Sequence, residues 1–115
     1  MALPKQYRLT RQKEFEKVYD SGKTVRNSFL FIKFFKDSSL ESSKFGIVVS
    51  TKVSKKATVR NKIRRQISEA IKPHLNRVAK NVNVIIVTNY KIVDKEFTEI
   101  EKVVLNLLKK SRIIS

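Results

Sequence analysis

The chain has no cysteine and no tryptophan, and only two glycines, two prolines and one histidine among 115 residues. Without cysteine, disulfides and thiolate metal sites are excluded. Gly22 and Gly46 stand far apart, which rules out a glycine-rich phosphate loop. His74 follows Pro73 and reads as a surface or helix-end residue. One imidazole, with no cysteine and no clustered carboxylates, cannot assemble a metal site of the usual kind or a nucleophilic triad. Long apolar runs are also missing. Phe29–Phe35 and Val84–Val87 are strand-length and interrupted or flanked by polar residues, so neither a membrane span nor a secretory signal is expected. The simple expectation is a cytoplasmic protein.

Acidic residues are scarce as well. Ten Asp and Glu face 26 Lys and Arg, a formal charge of +16, and the pI is about 10.4. No fold requires this excess, because like charges repel in a compact chain. It points to a polyanionic partner, nucleic acid first and an anionic membrane second. With 41% apolar residues there is material for one folded core, and 115 residues suit a single domain spanning 1–115.

Residues 1–9 read as an extended basic segment, with Pro4 arguing against an early helix. From Thr10 to Asp20, Phe15, Val18 and Tyr19 recur three and four apart, the pattern of a short amphipathic helix. Thr10 is its expected cap, and Ser21-Gly22 its end. Val25 to Phe35 reads as extended, with apolar residues on both faces: Leu30, Ile32 and Phe34 on one, Phe29, Phe31 and Phe35 on the other. A strand buried on one side needs one apolar face. The second face therefore meets another layer, a partner, or flat rings. Asp37–Ser43 is a polar loop expected to join two antiparallel strands. Phe45–Ser50 and Val82–Val87 are further strands, the VIIV of the latter pointing to burial on both faces. A helix is expected over 57–72 on the stripe Val59, Ile63, Ile67, Ala70 and Ile71, ended by Pro73. A last helix, capped by Asp94, carries Phe97, Ile100, Val104, Leu107 and Leu108. The order fits helices packed on a small sheet, an α/β sandwich.

The segment from Lys52 to Arg65 holds Lys52, Lys55, Lys56, Arg60, Lys62, Arg64 and Arg65 and no acid. A one-sign run is commonly a solvated helix face, but here no acid is present to form ordinary surface ion pairs. Arginine grips phosphate with a planar fork and stacks on bases, and Asn61 offers a donor and an acceptor to a base edge or 2′-hydroxyl.

Ala57-Thr58-Val59-Arg60-Asn61-Lys62-Ile63-Arg64-Arg65 resembles the signature of the bacterial ribonuclease P protein family. Phe15-Glu16-Lys17-Val18-Tyr19 with Ser21-Gly22, then Asn27, then Phe45-Gly46-Ile47-Val48-Val49-Ser50, resemble its other pieces in order. The sequence departs from the family pattern at Thr51, Lys33, Gln66 and Ser68. The resemblance implies a two-layer α/β (α+β) sandwich of the ribosomal protein S5 domain 2-like type, in the order α-β-β-β-α-β-α with a left-handed β–α–β crossover. It also implies a subunit of the endoribonuclease that matures tRNA 5′ ends. The basic loop and helix, 52–72, would bind ribonuclease P RNA through Lys52, Lys55, Lys56, Arg60, Asn61, Lys62, Arg64 and Arg65. Phe15, Tyr19, Phe31, Lys33 and Ser50 would line a cleft for the precursor-tRNA leader. Magnesium held mainly by the RNA, not protein side chains, would supply the chemistry, and no protein oligomer is required. Two other readings compete. A structural RNA-binding protein, such as a ribosomal protein, accounts for the charge but not for the ordered motifs. A self-sufficient nuclease lacks the carboxylate or histidine cluster to hold a metal.

Overall fold

The computed structural model describes residues 3–39 and 43–114. Its elements are α1 (Gln12–Ser21), β1 (Lys23–Arg26), β2 (Leu30–Lys36), β3 (Lys44–Val48), α2 (Ala57–Ile71), β4 (Val82–Thr88) and α3 (Phe97–Lys110). This is the expected order α-β-β-β-α-β-α. Short 3-10 turns lie at Lys5–Tyr7, Lys72–Arg77 and Tyr90–Ile92. The strands form one sheet in the order β1-β2-β4-β3. β4 pairs antiparallel with β2 and parallel with β3, so β3–α2–β4 is a crossover between neighbouring parallel strands.

Several local expectations are corrected. Val25–Phe35 is a hairpin, not one strand. Asn27 Oδ1 accepts the N–H groups of Phe29 (2.8 Å) and Leu30 (3.0 Å), an Asx turn that reverses the chain. β2 and β3 do not pair, because β4 lies between them. Of the loop expected to join them, residues 40–42 lie outside the described residues. Thr10 does not cap α1, whose N-cap is Arg11 with no side-chain bond. Nor does Asp94 cap α3, which starts after Glu96; Asp94 instead turns the chain at φ 66°, a conformation Asp tolerates. The N-terminal segment is not simply extended. Pro4 and Lys5 open a 3-10 turn, after which Arg8 bridges Phe45 and Leu9 N–H donates to the Phe45 carbonyl at 2.9 Å. Leu3 and Leu9 are buried; Met1 and Ala2 lie outside the described residues.

Strand alternation divides the sheet into two faces. On the first, Leu30, Ile32, Phe45, Val82, Val84 and Ile86 meet Ile63, Ile67 and Ile71 of α2 and Ile100, Val104, Leu107 and Leu108 of α3. Burying each such side chain contributes about 1.5–3 kcal/mol, so this layer holds the domain together. On the second face Val18 of α1 packs with Leu9 and Ile85, flanked by half-buried Phe15, Phe35, Val48 and Val87. The sheet with α2 and α3 makes the two-layer sandwich, and α1 crosses the far side. Val84, Ile85 and Ile86 are fully buried, as VIIV implied, but Val87 at its end is only half-buried because its row on the second face is not covered.

Candidate nucleic-acid interface

The register lays out the second face in rows. Arg26, Phe31, Val87 and Val48 stand side by side across the four strands, and Thr24, Lys33, Ile85 and Gly46 form the next row. α1 lies over the second row. Its Val18 seals Ile85, and its Phe15 rests on Gly46, where an added Cβ would come within 2.7 Å of two ring carbons. A side chain at position 46 would displace the ring. Tyr19 remains 42% exposed at the helix edge. Lys33 donates to the Tyr19 carbonyl at 3.4 Å and stands 5.9 Å from its ring centroid. The first row has no helix above it: Phe31, Val48 and Val87 are only half-buried. Arg26 covers part of Phe31, 5.7 Å from the ring, and Lys95 stands 5.4 Å from Phe29 at the end of β2. Thus Phe15, Tyr19, Phe31 and Lys33 converge on one side of the sheet, an apolar shelf rimmed by cations. Ser50 sits exposed just past β3, where its Oγ accepts from Lys52 N–H at 3.3 Å.

The basic segment follows. Ser54 Oγ accepts Lys56 N–H at 3.2 Å, and α2 begins at Ala57 without a side-chain cap or an acid in its first turn. Two of its arginines are partly occupied by the protein itself. Arg60 donates to the carbonyls of Ser54 (2.9 Å) and Lys55 (3.0 Å), closing the loop onto the helix. Arg64 donates to the Val49 carbonyl (3.0 Å) and to Asn61 Oδ1 (2.7 Å). These bonds hold the side chains in place and leave the Asn61 amide free to donate. Lys52, Lys55, Lys56, Lys62 and Arg65 extend into solvent. The two groups lie on different sides of β3, α1 over the second face and α2 against the first.

Some contributors were not singled out in the sequence. Arg26 stacks on Phe31 only because of the hairpin register, which the Asn27 turn sets. Arg8 and Thr10 approach α2 because the N-terminal segment pairs with the β3 edge. His74 is half-buried on the turn after α2, where Arg77 donates to its Nδ1 at 2.5 Å. Among the described residues no three His, Asp or Glu side chains converge on a metal position. No helix among them is long and apolar enough to cross a membrane.

Comparison with known proteins decides the family. The family model described as Ribonuclease P matches residues 3–112. The chain belongs to the ribonuclease P protein family. It is 42% identical over 87 residues to the ribonuclease P protein component of Synechocystis sp., covering 76% of this chain and 70% of that one. With the component from Pseudanabaena sp. it shares 31% over 112 residues, 97% of each. The solved RNase P protein of Staphylococcus aureus superposes with a TM-score of 0.88 at 25% identity, covering 95% of this chain and 98% of that one. The chain is therefore a ribonuclease P subunit, part of an endoribonuclease holoenzyme that processes tRNA 5′ ends, and it works with an RNA partner.

Proposed function

We propose that this subunit uses two separate surfaces on two RNAs. The basic loop and helix grip the catalytic RNA through Lys52, Lys55, Lys56, Arg60, Asn61, Lys62, Arg64 and Arg65. The shelf of Phe15, Tyr19, Phe31 and Lys33, reaching Ser50, receives the 5′ leader of precursor tRNA. The observation that carries this reading is the half-covered second face: a sheet row left without a helix, holding the Phe31 ring beside Arg26, with Lys33 and Tyr19 at its border. Rings stack on unpaired bases without demanding a sequence, and the cations screen the backbone that joins them. The +16 charge supplies the general attraction to RNA. In this proposal the magnesium ions of the hydrolysis belong to the RNA, and the protein positions the substrate.

Precursor-tRNA cleavage by ribonuclease P RNA at low magnesium, with and without the protein, tests the reading. Strong stimulation is expected, lost when Arg64 and Arg65 are both replaced by Ala because assembly fails. Phe31→Ala should assemble normally yet bind precursor tRNA less tightly, with mature tRNA unaffected. If both variants weaken one and the same binding step equally, the two-surface reading is wrong. Tight RNA binding without stimulation would instead favour a structural RNA-binding role.

A further inference from the structure

A cleft of about 430 Å3 opens at the free edge of β3, between the N-terminal segment, α1 and α2. Its volume is in the range of sites that enclose one small ligand. Leu3, Phe15, Phe45 and Ile47 give it apolar walls. Arg65, Asn61 and Thr10 stand at its polar side, and no carboxylate lines it among the described residues. Arg65 has no hydrogen bond or ion pair among the described residues. The strand edge adds a second feature. Alternate residues of a strand turn their backbone groups to the same side. The Phe45 carbonyl is taken by Leu9 N–H at 2.9 Å, and the Val49 carbonyl by Arg64 at 3.0 Å. Ile47 lies between them, so its N–H and C=O face the same edge, in a gap where no backbone or arginine hydrogen bond of the described residues reaches it. A donor and an acceptor side by side, over an apolar floor and beside a guanidinium, match the edge of a nucleobase, its flat face and its phosphate.

We propose that this cleft takes one unpaired nucleotide of an RNA strand: the base against Phe15 and Ile47, its edge paired with the Ile47 backbone, its phosphate on Arg65. The proposal rests on the RNA-binding reading above, and it adds a pocket across the β3 edge from the open shelf, with Phe15 as the wall shared by the two.

The test follows backbone amide resonances of the intact, isotope-labelled protein during titration with 5′-AMP, adenosine and inorganic phosphate. AMP and adenosine should shift Leu9, Gly46 and Ile47 saturably, whereas phosphate alone should leave Ile47 in place. Ser68, which lines the cleft from α2, offers a sharp control. Ser68→Arg fills the space while adding positive charge, so lost binding cannot be electrostatic; at least tenfold weaker AMP binding is expected. Thr10→Trp fills it from the exposed side, independently of the α2 packing. In the complex with ribonuclease P RNA, chemical probing should reveal a nucleotide protected by the wild-type protein and released by both filling variants. Ile47 unmoved by AMP, or wild-type AMP affinity in both variants, would overturn the proposal. So would undiminished AMP binding within the assembled complex, which would leave the cleft to soluble nucleotides. If wild-type protein stimulates cleavage while AMP leaves Ile47 unmoved, only the pocket falls. If it fails to stimulate at all, the parent reading falls.

Discussion

The two faces of the sheet are made from the same strands, yet they are finished differently. Beneath α2 and α3 the side chains of β2 and β4 meet a continuous apolar layer, and Ile67, Ile71, Val84, Ile86 and Leu108 are fully enclosed. Under α1 only part of the opposite face is closed, and the row of Phe31, Val87 and Val48 is left half-open. Both faces are rich in large apolar residues. A closed face turns that surface into stability, whereas an open one keeps it for a partner with flat, apolar faces. Under the proposed function, that contrast separates residues that hold the domain together from residues offered to RNA.

Breaking the closed face should have the largest effect. Ile67→Ala leaves a cavity in full contact and is expected to cost about 3 kcal/mol in urea unfolding, within the range for buried aliphatic truncation. Val87→Ala on the half-open face should cost distinctly less. Equal losses would mean the second face is as closed as the first. Next comes Phe31→Ala, expected to weaken leader binding by about 1–3 kcal/mol through lost stacking, with a smaller loss of stability; an unchanged precursor-tRNA affinity would remove Phe31 from the site.

The arginines of α2 sharpen the contrast further. Arg64 bonds the Val49 carbonyl, so Arg64→Ala should lower stability by about 1 kcal/mol as well as RNA affinity. Arg65→Ala should leave stability within about 0.5 kcal/mol while lowering the salt slope of RNA binding by about one. Parallel effects of the two substitutions in denaturation and in salt titration would contradict the division. Smaller again is Asn83→Val. Asn83 is buried under α1, opposite Phe35 and Lys44, and its Oδ1 has no hydrogen-bond partner among the described residues. Removing an unsatisfied buried acceptor should raise stability by about 0.5–1 kcal/mol, read as a higher urea midpoint; a drop would reveal a partner for that oxygen.

The smallest expected effect concerns pH. Hydrogen bonds from the Ser39 hydroxyl and N–H hold the Asp37 carboxyl below its ordinary 3.8, with Lys17 adding a weaker pull. A lowered folded-state pKa contributes stability that is present above the unfolded value and lost as pH falls through the folded one. Ser39→Ala removes the hydroxyl donor, so Asp37 should titrate at a higher pH in a carboxyl-carbon NMR titration. No change would show that the Ser39 hydroxyl does not hold the carboxylate.

Periodicity made the helices readable, because one apolar stripe on a polar helix has one burial solution: Ile63, Ile67, Ala70 and Ile71 are buried together as their spacing implied. The same method merged β1 and β2. With both parities apolar, alternation carried no break, and the Asx turn at Asn27 rests on one side chain that composition does not expose. The caps expected at Thr10 and Asp94 failed because cap propensity does not say where the backbone enters the helix. Leu3 and Leu9 fall in a stretch whose sequence reads only as a basic extended segment. Their burial depends on the β3 edge, a surface that exists only once the strand order is set.

Chemistry carried by residue type was therefore available from the chain alone: one basic run without acids, rings on a second strand face, no cysteine, and motifs whose order names a family. Tertiary structure decided the rest, because each remaining feature is a relation between segments distant in sequence. β4 enters between β2 and β3, α1 stops short of the Phe31 row, Arg64 is tied to Val49, and Ile47 is left at an uncovered edge. Residue identity sets what a side chain or a backbone edge can do. Which of them stay uncovered depends on how the layers meet, and packing alone determines that.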